Sequence, residues 1–216
     1  MFNRFVSFFL HERGPAVFFA LFGFILEQLS ARVHARSVGW VGGYLGAGSR
    51  VFGSRYISVG THLHINRHAW IEAVYSFRGQ FFRPKIQIGN RFSASDRLHI
   101  SCIEKIEIGD DCLFGSGVYI SDHNHGVYTG RQHSAPAQPP VDRELQSMGA
   151  VHIGSRVWIG DNVVIVGPLT IGDGAVIGAN SVVKKDVPGN VIAAGMPVQV
   201  IKRFNPASGR WEKDER

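Results

Sequence analysis

The stretch "VHIGSRVWIGDNVVIVGPLTIGDGAVIGANSVV", Val151 to Val183, decides the fold. Stepping by six from Ile153 lands on Ile159, Ile165, Ile171, Ile177 and Val183, each aliphatic and β-branched. Glycine follows four of them, at Gly154, Gly160, Gly172 and Gly178. Four residues after each step comes a second apolar or small side chain: Val157, Val163, Leu169, Ala175, Ser181 and Val187. An α-helix turns every ~3.6 residues and would smear these positions around its cylinder. A chain that makes a short strand, turns a corner and starts again can use the period. Three such steps close one triangular coil, with the aliphatic side chains stacked inward, coil on coil. A sandwich of short strands would instead show a period of two and uneven turn spacing.

The same interval runs earlier. Ile108, Phe114 and Ile120 are in step, as are Ile88, Ala94, Ile100 and Ile106, with a two-residue slip between the runs. Val59, Ile65 and Ile71 form another run, led by Leu45, Val51 and Ile57. Between Ile120 and Ile153 the interval fails. The segment 121–152 contains Pro136, Pro139 and Pro140 and no apolar period, which predicts a loop thrown out of the solenoid. Long loops inside compact domains are uncommon and usually functional. Its root reads "SDHNHG", with Asp122, His123, Asn124 and His125.

Composition sets the outer bounds. With 216 residues, 44% hydrophobic and 19% charged, the chain can bury a core. A net charge of +6 favours acidic partners such as phosphates or anionic lipid. The basic residues are dispersed, and no nucleic-acid-binding module is evident, so nucleic acid is not an expected partner. Cys102 and Cys112 form no CxxC pair and read as reduced core thiols, compatible with the cytoplasm. Pro15 to Leu26 is uncharged but too short for a span of about 20 residues. No small-x-small cleavage site follows, so a signal peptide does not fit. Arg4, Arg13, Arg32 and Arg36 flank the run. Two readings stand: a helix capping the first coil, and an interfacial helix holding residues 1–30 to a membrane surface. The chain then divides into an apolar helical segment 1–36, a solenoid 37–203 and a polar tail 204–216.

From Val151 to Arg203, and more loosely from residue 45, the sequence resembles the hexapeptide-repeat acyltransferases, which include the maltose, galactoside, serine and xenobiotic acetyltransferases. The resemblance implies an all-β solenoid, a left-handed parallel β-helix, in a homotrimer that uses acetyl-CoA. The left hand comes from the resemblance alone, since crossovers in general prefer the right. In the maltose and galactoside enzymes the catalytic histidine lies five residues past the last in-step position, which here is His125. Imidazole, with an unperturbed pKa of about 6.5, can take a hydroxyl proton and return it to a leaving thiolate. His125 is therefore the expected base, with His123 and Asp122 as orienting groups or, in the case of His123, an acceptor contact.

The resemblance also marks the donor side. Trp158 and Gly160 match the wall of the pantetheine channel, and Ala179 the coil that receives the nucleotide. Lys184, Lys185, Lys202 and Arg203 suit phosphates. On the acceptor side, Asn124, Asp96 and Ser101 are the candidates. The acceptor-assisting asparagine of the maltose and galactoside enzymes is absent; Ser95 stands in its place. The H-x-H pair raises a zinc site of the γ-carbonic-anhydrase kind. No Gly-His step accompanies it in the C-terminal repeats, so no metal is expected. The implied activity is acetyl transfer to a sugar hydroxyl of a bacterial surface polysaccharide or its precursor, at or near the inner face of the cytoplasmic membrane. N-acetylation of a nucleotide-linked amino sugar is the enzymatic alternative, and a non-catalytic scaffold the other.

Overall fold

The computed structural model describes residues 15–131 and 133–214. The N-terminal part of the 1–36 segment, with Arg4, Arg13 and its first phenylalanines, lies outside the described residues. Three parallel sheets share one core, as the six-residue interval requires. Face A stacks Tyr44–Leu45, His64–Ile65, Ser93–Ala94, Leu113–Phe114, Trp158–Ile159, Val176–Ile177 and Val191–Ala194. Face B stacks Arg50–Phe52, Trp70–Ala73, His99–Cys102, Tyr119–Ser121, Val164–Val166 and Val182–Val183. Face C stacks Ile57–Val59, Lys85–Ile88, Lys105–Ile108, Val151–Ile153 and Leu169–Ile171. Each rung registers on the next, as in Ile71, Ile100, Ile120, Ile165 and Val183 on face B. All five are fully buried.

The slip between Ile106 and Ile108 is no break. Both point inward from one four-residue strand, Lys105–Ile108, because alternate residues of a strand share a face. The lower coils simply use longer strands than the upper ones.

The three corners differ. From C to A the turn is tight and carries a polar ladder. Thr61 donates to Asn90 Oδ1 (3.0 Å), Asn90 to Asp110 Oδ1 (2.6 Å), Asp110 to Ser155 Oγ (3.1 Å) and Ser155 to Asp173 Oδ1 (2.9 Å), each through its backbone N–H. From A to B the turn is also tight. At Gly115 a Cβ would lie 2.7 Å from the Asp161 nitrogen in the coil above, so no side chain fits. From B to C the chain departs three times: a 3-10 turn at Ser54–Tyr56, a hairpin pairing Ser76–Phe77 with Gln80–Phe81, and the long excursion after Ser121. The sequence reading found only the last of these.

Helix α1, Pro15–Ser37, closes the open first coil. Ala31 and Ala35 are buried, and Trp40, just after the helix, joins the core. Glu27 accepts two hydrogen bonds from Arg67, both at 2.7 Å. No described helix is long and apolar enough to cross a membrane. At the other end the described part of the polar tail carries strand structure. Gln199–Asn205 and Arg210–Lys213 form an antiparallel hairpin that extends face A.

Candidate active site

The long excursion is less a loop than a hairpin with a bulging tip. His123–His125 pairs antiparallel with Leu145–Ser147, so its neck is closed by a ladder. Asp122 fixes that neck. Its carboxylate sits over the tight corner of the coil below and accepts the N–H groups of Ile103 (3.0 Å), Glu104 (2.8 Å) and Lys105 (2.9 Å). The Cys102 thiol donates to it as well (3.2 Å). Asp122 is 0% exposed. Burial alone would raise its pKa, but the bonds from His123, Ile103, Glu104 and Cys102 outweigh that and hold it below the usual range. Burial, then the charge of Asp122, pushes the Cys102 thiol far up, so it is no nucleophile.

The two histidines part company here. His123 Nδ1 lies 2.9 Å from Asp122 Oδ1 and must carry the proton, because a carboxylate can only accept. Its side chain is only 9% exposed. His125 is exposed, and among the described residues no side-chain hydrogen bond ties its ring. It is held instead by shape and backbone. Its ring meets the edge of Phe77, from the lower hairpin, at a centroid distance of 5.4 Å. Its carbonyl accepts the Tyr128 hydroxyl proton (2.7 Å), and Tyr128 Oη accepts from Arg143 Nη1 (2.6 Å). Arg143 is nearly buried and has no carboxylate partner among the described residues. It spends its other donors on the Gln138, Ala135 and Pro136 carbonyls, tying up the loop tip. Gly126, next to His125, has φ +101°, which a side chain would strain.

The lower hairpin braces this assembly. Gln80 exchanges two hydrogen bonds with the Leu145 backbone (2.8 and 3.2 Å), and Arg78 pairs with Asp142 (2.9 Å). Phe77, Gln80, Tyr128 and Arg143 were missed by sequence reading. For Phe77 and Gln80 the available signal was the interruption of the interval between Ile71 and Ile88, and for Tyr128 and Arg143 the break at 121–152.

The remaining candidates fall in several places. Ser101 lies in register with Ser121 at the loop root. Asn124 points the other way from the histidines, its Nδ2 3.0 Å from Met148 Sδ, beside a cavity of about 400 Å³. Asp96 is elsewhere: it receives the Arg67 N–H (3.1 Å) at the A–B corner. Trp158 stands outward on face A, 54% exposed, while Gly160 and Ala179 form the adjoining A–B corner. Lys184 and Lys185 are exposed past the last face B strand, Lys185 reaching Gln199 Oε1 (3.2 Å). Lys202 is exposed on the terminal hairpin, where Arg203 is already paired with Asp214 (2.8 Å). One chain thus carries its histidines on the B–C edge and Trp158, Gly160 and Ala179 on face A and the A–B edge. Among the described residues, no cluster of three or more His, Cys, Asp or Glu side chains is placed to hold a metal ion.

Comparison with known proteins agrees with this architecture. Residues 150–185 match the pattern described as "Bacterial transferase hexapeptide (six repeats)", and residues 105–129 that of the "Hexapeptide repeat of succinyl-transferase". WbbJ of Escherichia coli K12, whose name provisionally gives it as a lipopolysaccharide-biosynthesis O-acetyl transferase, is 43% identical over 62% of this chain and 68% of its own. The galactoside O-acetyltransferase of the same organism is 37% identical over 65% of this chain and 64% of its own. Among solved structures, the N-acyltransferase AntD of Bacillus cereus, in complex with dTDP and 3-hydroxybutyryl-CoA, superposes with a TM-score of 0.60. Identity is 20%, over 77% of this chain and 82% of that one, a likeness of fold.

Proposed function

Since the chain belongs to the hexapeptide-repeat sugar acetyltransferases, left-handed β-helix enzymes, we propose that it moves acetyl from acetyl-CoA to a sugar hydroxyl of a bacterial surface polysaccharide or its precursor. The observation that carries the reading is the accessible His125 imidazole on a braced hairpin. It takes the proton of the acceptor hydroxyl as that oxygen attacks the thioester carbonyl. The C–S bond of the tetrahedral intermediate breaks, the proton returns to the departing thiolate, and the products are the acetyl ester and free CoA. Asp122 and His123 act one step back, fixing the strand from which His125 projects.

The division of the site between two edges supports a homotrimer. A neighbouring copy would bring its Trp158, Gly160 and Ala179 against the His125 edge of the first. Exposed Lys184, Lys185 and Lys202 suit the CoA phosphates, whereas Arg203 would first have to leave Asp214. Light scattering at micromolar concentration should return three chains; a fully active monomer would refute the arrangement.

For localisation, we propose peripheral contact with the inner face of the cytoplasmic membrane through α1. The helix caps the solenoid with one side and leaves Phe22, Ile25, Leu26, Leu29 and Val33 exposed on the other, near Arg32 and Arg36. Both sequence readings of the segment are thus compatible in one helix. Sedimentation with anionic liposomes should follow this face, and its loss on Leu26→Ser with Leu29→Ser should leave the fold intact.

The activity is tested by incubating the protein with acetyl-CoA and a panel of surface glycans, reading free thiol. Acetyl should appear on the glycan as an ester removed by mild base. A base-stable amide on an amino sugar would establish N-acetylation instead, and thiol release independent of any glycan would overturn transfer.

A further inference from the structure

Three departures from the solenoid open from its B–C corner, and aromatic rings link them in a line. His125 meets Phe77 at 5.4 Å. Phe77 and Tyr75 are alternate residues of one extended segment, whose ladder reaches Tyr75 through its carbonyl and the Phe82 N–H (2.9 Å). Their side chains therefore share a face about 7 Å apart. Tyr75 stacks in turn on Tyr56, from the 3-10 turn of the first coil, at 6.1 Å and 28°. The row ends in a cleft of about 360 Å³ lined by Gly53, Ser54, Arg55, Tyr56 and Tyr75. That volume is within the range of about 300–1,000 Å³ usual for small-molecule sites.

Nothing in the proton-transfer chemistry of His125 requires Tyr75 or Tyr56. In the single chain Tyr75 is 53% exposed, its ring lying outside the core against Tyr56. Arg55 is exposed and has no carboxylate partner among the described residues. Flat rings, phenolic hydroxyls and a free guanidinium are a set suited to one class of ligand. Sugar rings present a C–H face that stacks on an aromatic π face, and hydroxyls that the tyrosine and arginine donors can meet.

We infer that the B–C edge is an acceptor track: the Tyr56–Tyr75–Arg55 cleft binds a sugar unit of the same oligosaccharide whose reacting hydroxyl lies at His125. This deepens the acetyl-transfer reading and rests on it for the position of the reacting unit. It makes the substrate an oligosaccharide, already assembled by glycosyl transfer, and not a free or nucleotide-linked monosaccharide.

The test separates the track from the chemistry. His125→Ala protein is applied to an array of bacterial surface glycans graded from mono- to hexasaccharides. Binding should rise with length, and Tyr56→Ala and Tyr75→Ala, each added to His125→Ala, should weaken the best oligosaccharides about tenfold, one aromatic contact each. On the catalytic protein the same two substitutions should raise KM for the oligosaccharide while kcat at saturating oligosaccharide and KM for acetyl-CoA stay near the parent values. Binding within about twofold of the parent for both variants overturns the track. So does a preference for monosaccharides or nucleotide sugars. A change of oligomeric state in Tyr75→Ala with glycan binding intact would overturn it too, and would assign the edge to a second copy. If the protein binds oligosaccharides through Tyr56 and Tyr75 but transfers no acetyl, the track stands and the acetyl-transfer reading fails.

Discussion

The upper coils, 151–194, and the B–C edge of the lower ones are built from the same strand but serve opposite ends. In the upper coils the inward rungs stack aliphatic side chains on aliphatic ones, as Ile153 on Ile171 and Ile165 on Val183. On the edge, Asp122, Phe77, Tyr128 and Arg143 each occur once, and each contacts a residue from a different coil or from the loop itself. Stacking supplies stability through repetition, while the histidines are placed by singular contacts. A substitution should therefore move one property or the other, according to which region it strikes.

The sharpest contrast pairs His125→Ala with Ile165→Ala. General acid–base groups contribute about 10²–10⁴-fold, so the first should remove most acetyl transfer while the melting curve stays in place. Ile165 is fully buried between Ile120 and Val183, and its truncation should cost about 2–5 kcal/mol of stability with kcat preserved below the melting range. Turnover above half of the parent in His125→Ala would break the comparison at its functional end. Loss of activity in folded Ile165→Ala would break it at the structural end.

Asp122 lies where the two regions join and should show both effects. Asp122→Asn puts an amide among three backbone donors and should cost about 3 kcal/mol, with transfer reduced because the hairpin neck loosens. Its folded pKa is depressed, so the contribution is complete above the unfolded value of about 3.9 and is lost as pH falls through the lower folded value. Denaturant midpoints of parent and variant should differ by a constant amount at neutral pH and converge in acid. A gap that widened in acid would mean that Asp122 is not held as the anion.

Tyr128→Phe is the finer probe of the edge. It removes the hydroxyl between the His125 carbonyl and Arg143 but leaves Arg143 its bonds to Gln138 O at 2.7 and 3.0 Å. Two bonds are lost, and the neutral one that holds the His125 carbonyl is worth about 1 kcal/mol, so kcat should fall up to about tenfold with KM for acetyl-CoA unchanged. An equal fall in kcat and in thermal stability would place Tyr128 among the structural residues instead.

Legibility in the sequence divides along the same line. Repetition announces itself, and Ile153 to Val183 specified the three-sided coil from spacing alone. The root of the loop was legible because the interval stopped there, and the family resemblance singled out His125. Phe77, Gln80 and Arg143 were not legible, because their partners are tens of residues away and are chosen by the corner from which each excursion leaves. The exposure that separates His125 from His123 was hidden for a similar reason: it follows from where the Asp122 carboxylate sits over the coil below. Asp96 was singled out because it follows Ser95, which stands in place of the acceptor-assisting asparagine; the fold sets it at the A–B corner, away from the His125 edge of its own chain.

The smallest effect belongs to the N-terminal cap, which resembles the upper coils in relying on packing. Arg67 grips Glu27 with two 2.7 Å bonds, a geometry that looks like a clamp. Yet the two side chains are 53% and 26% exposed, and water competes for both. Exposed pairs contribute about 0.2–1 kcal/mol, and a bidentate arginine belongs at the upper end of that range. The cap's hold comes from Ala31 and Ala35, buried against the first coil, and from the Trp40 N–H bonded to the Ala35 carbonyl (2.9 Å). Arg67→Ala should therefore shift the unfolding free energy by less than about 1 kcal/mol, and the difference should shrink in ~1 M salt, where the screening length is about 3 Å. Ala35→Asp, which buries an unpaired carboxylate at the same junction, should unseat the helix outright. If Arg67→Ala proved as damaging as Ala35→Asp, the cap would be hung on a single contact, and α1 would belong with the B–C edge rather than with the stacked coils.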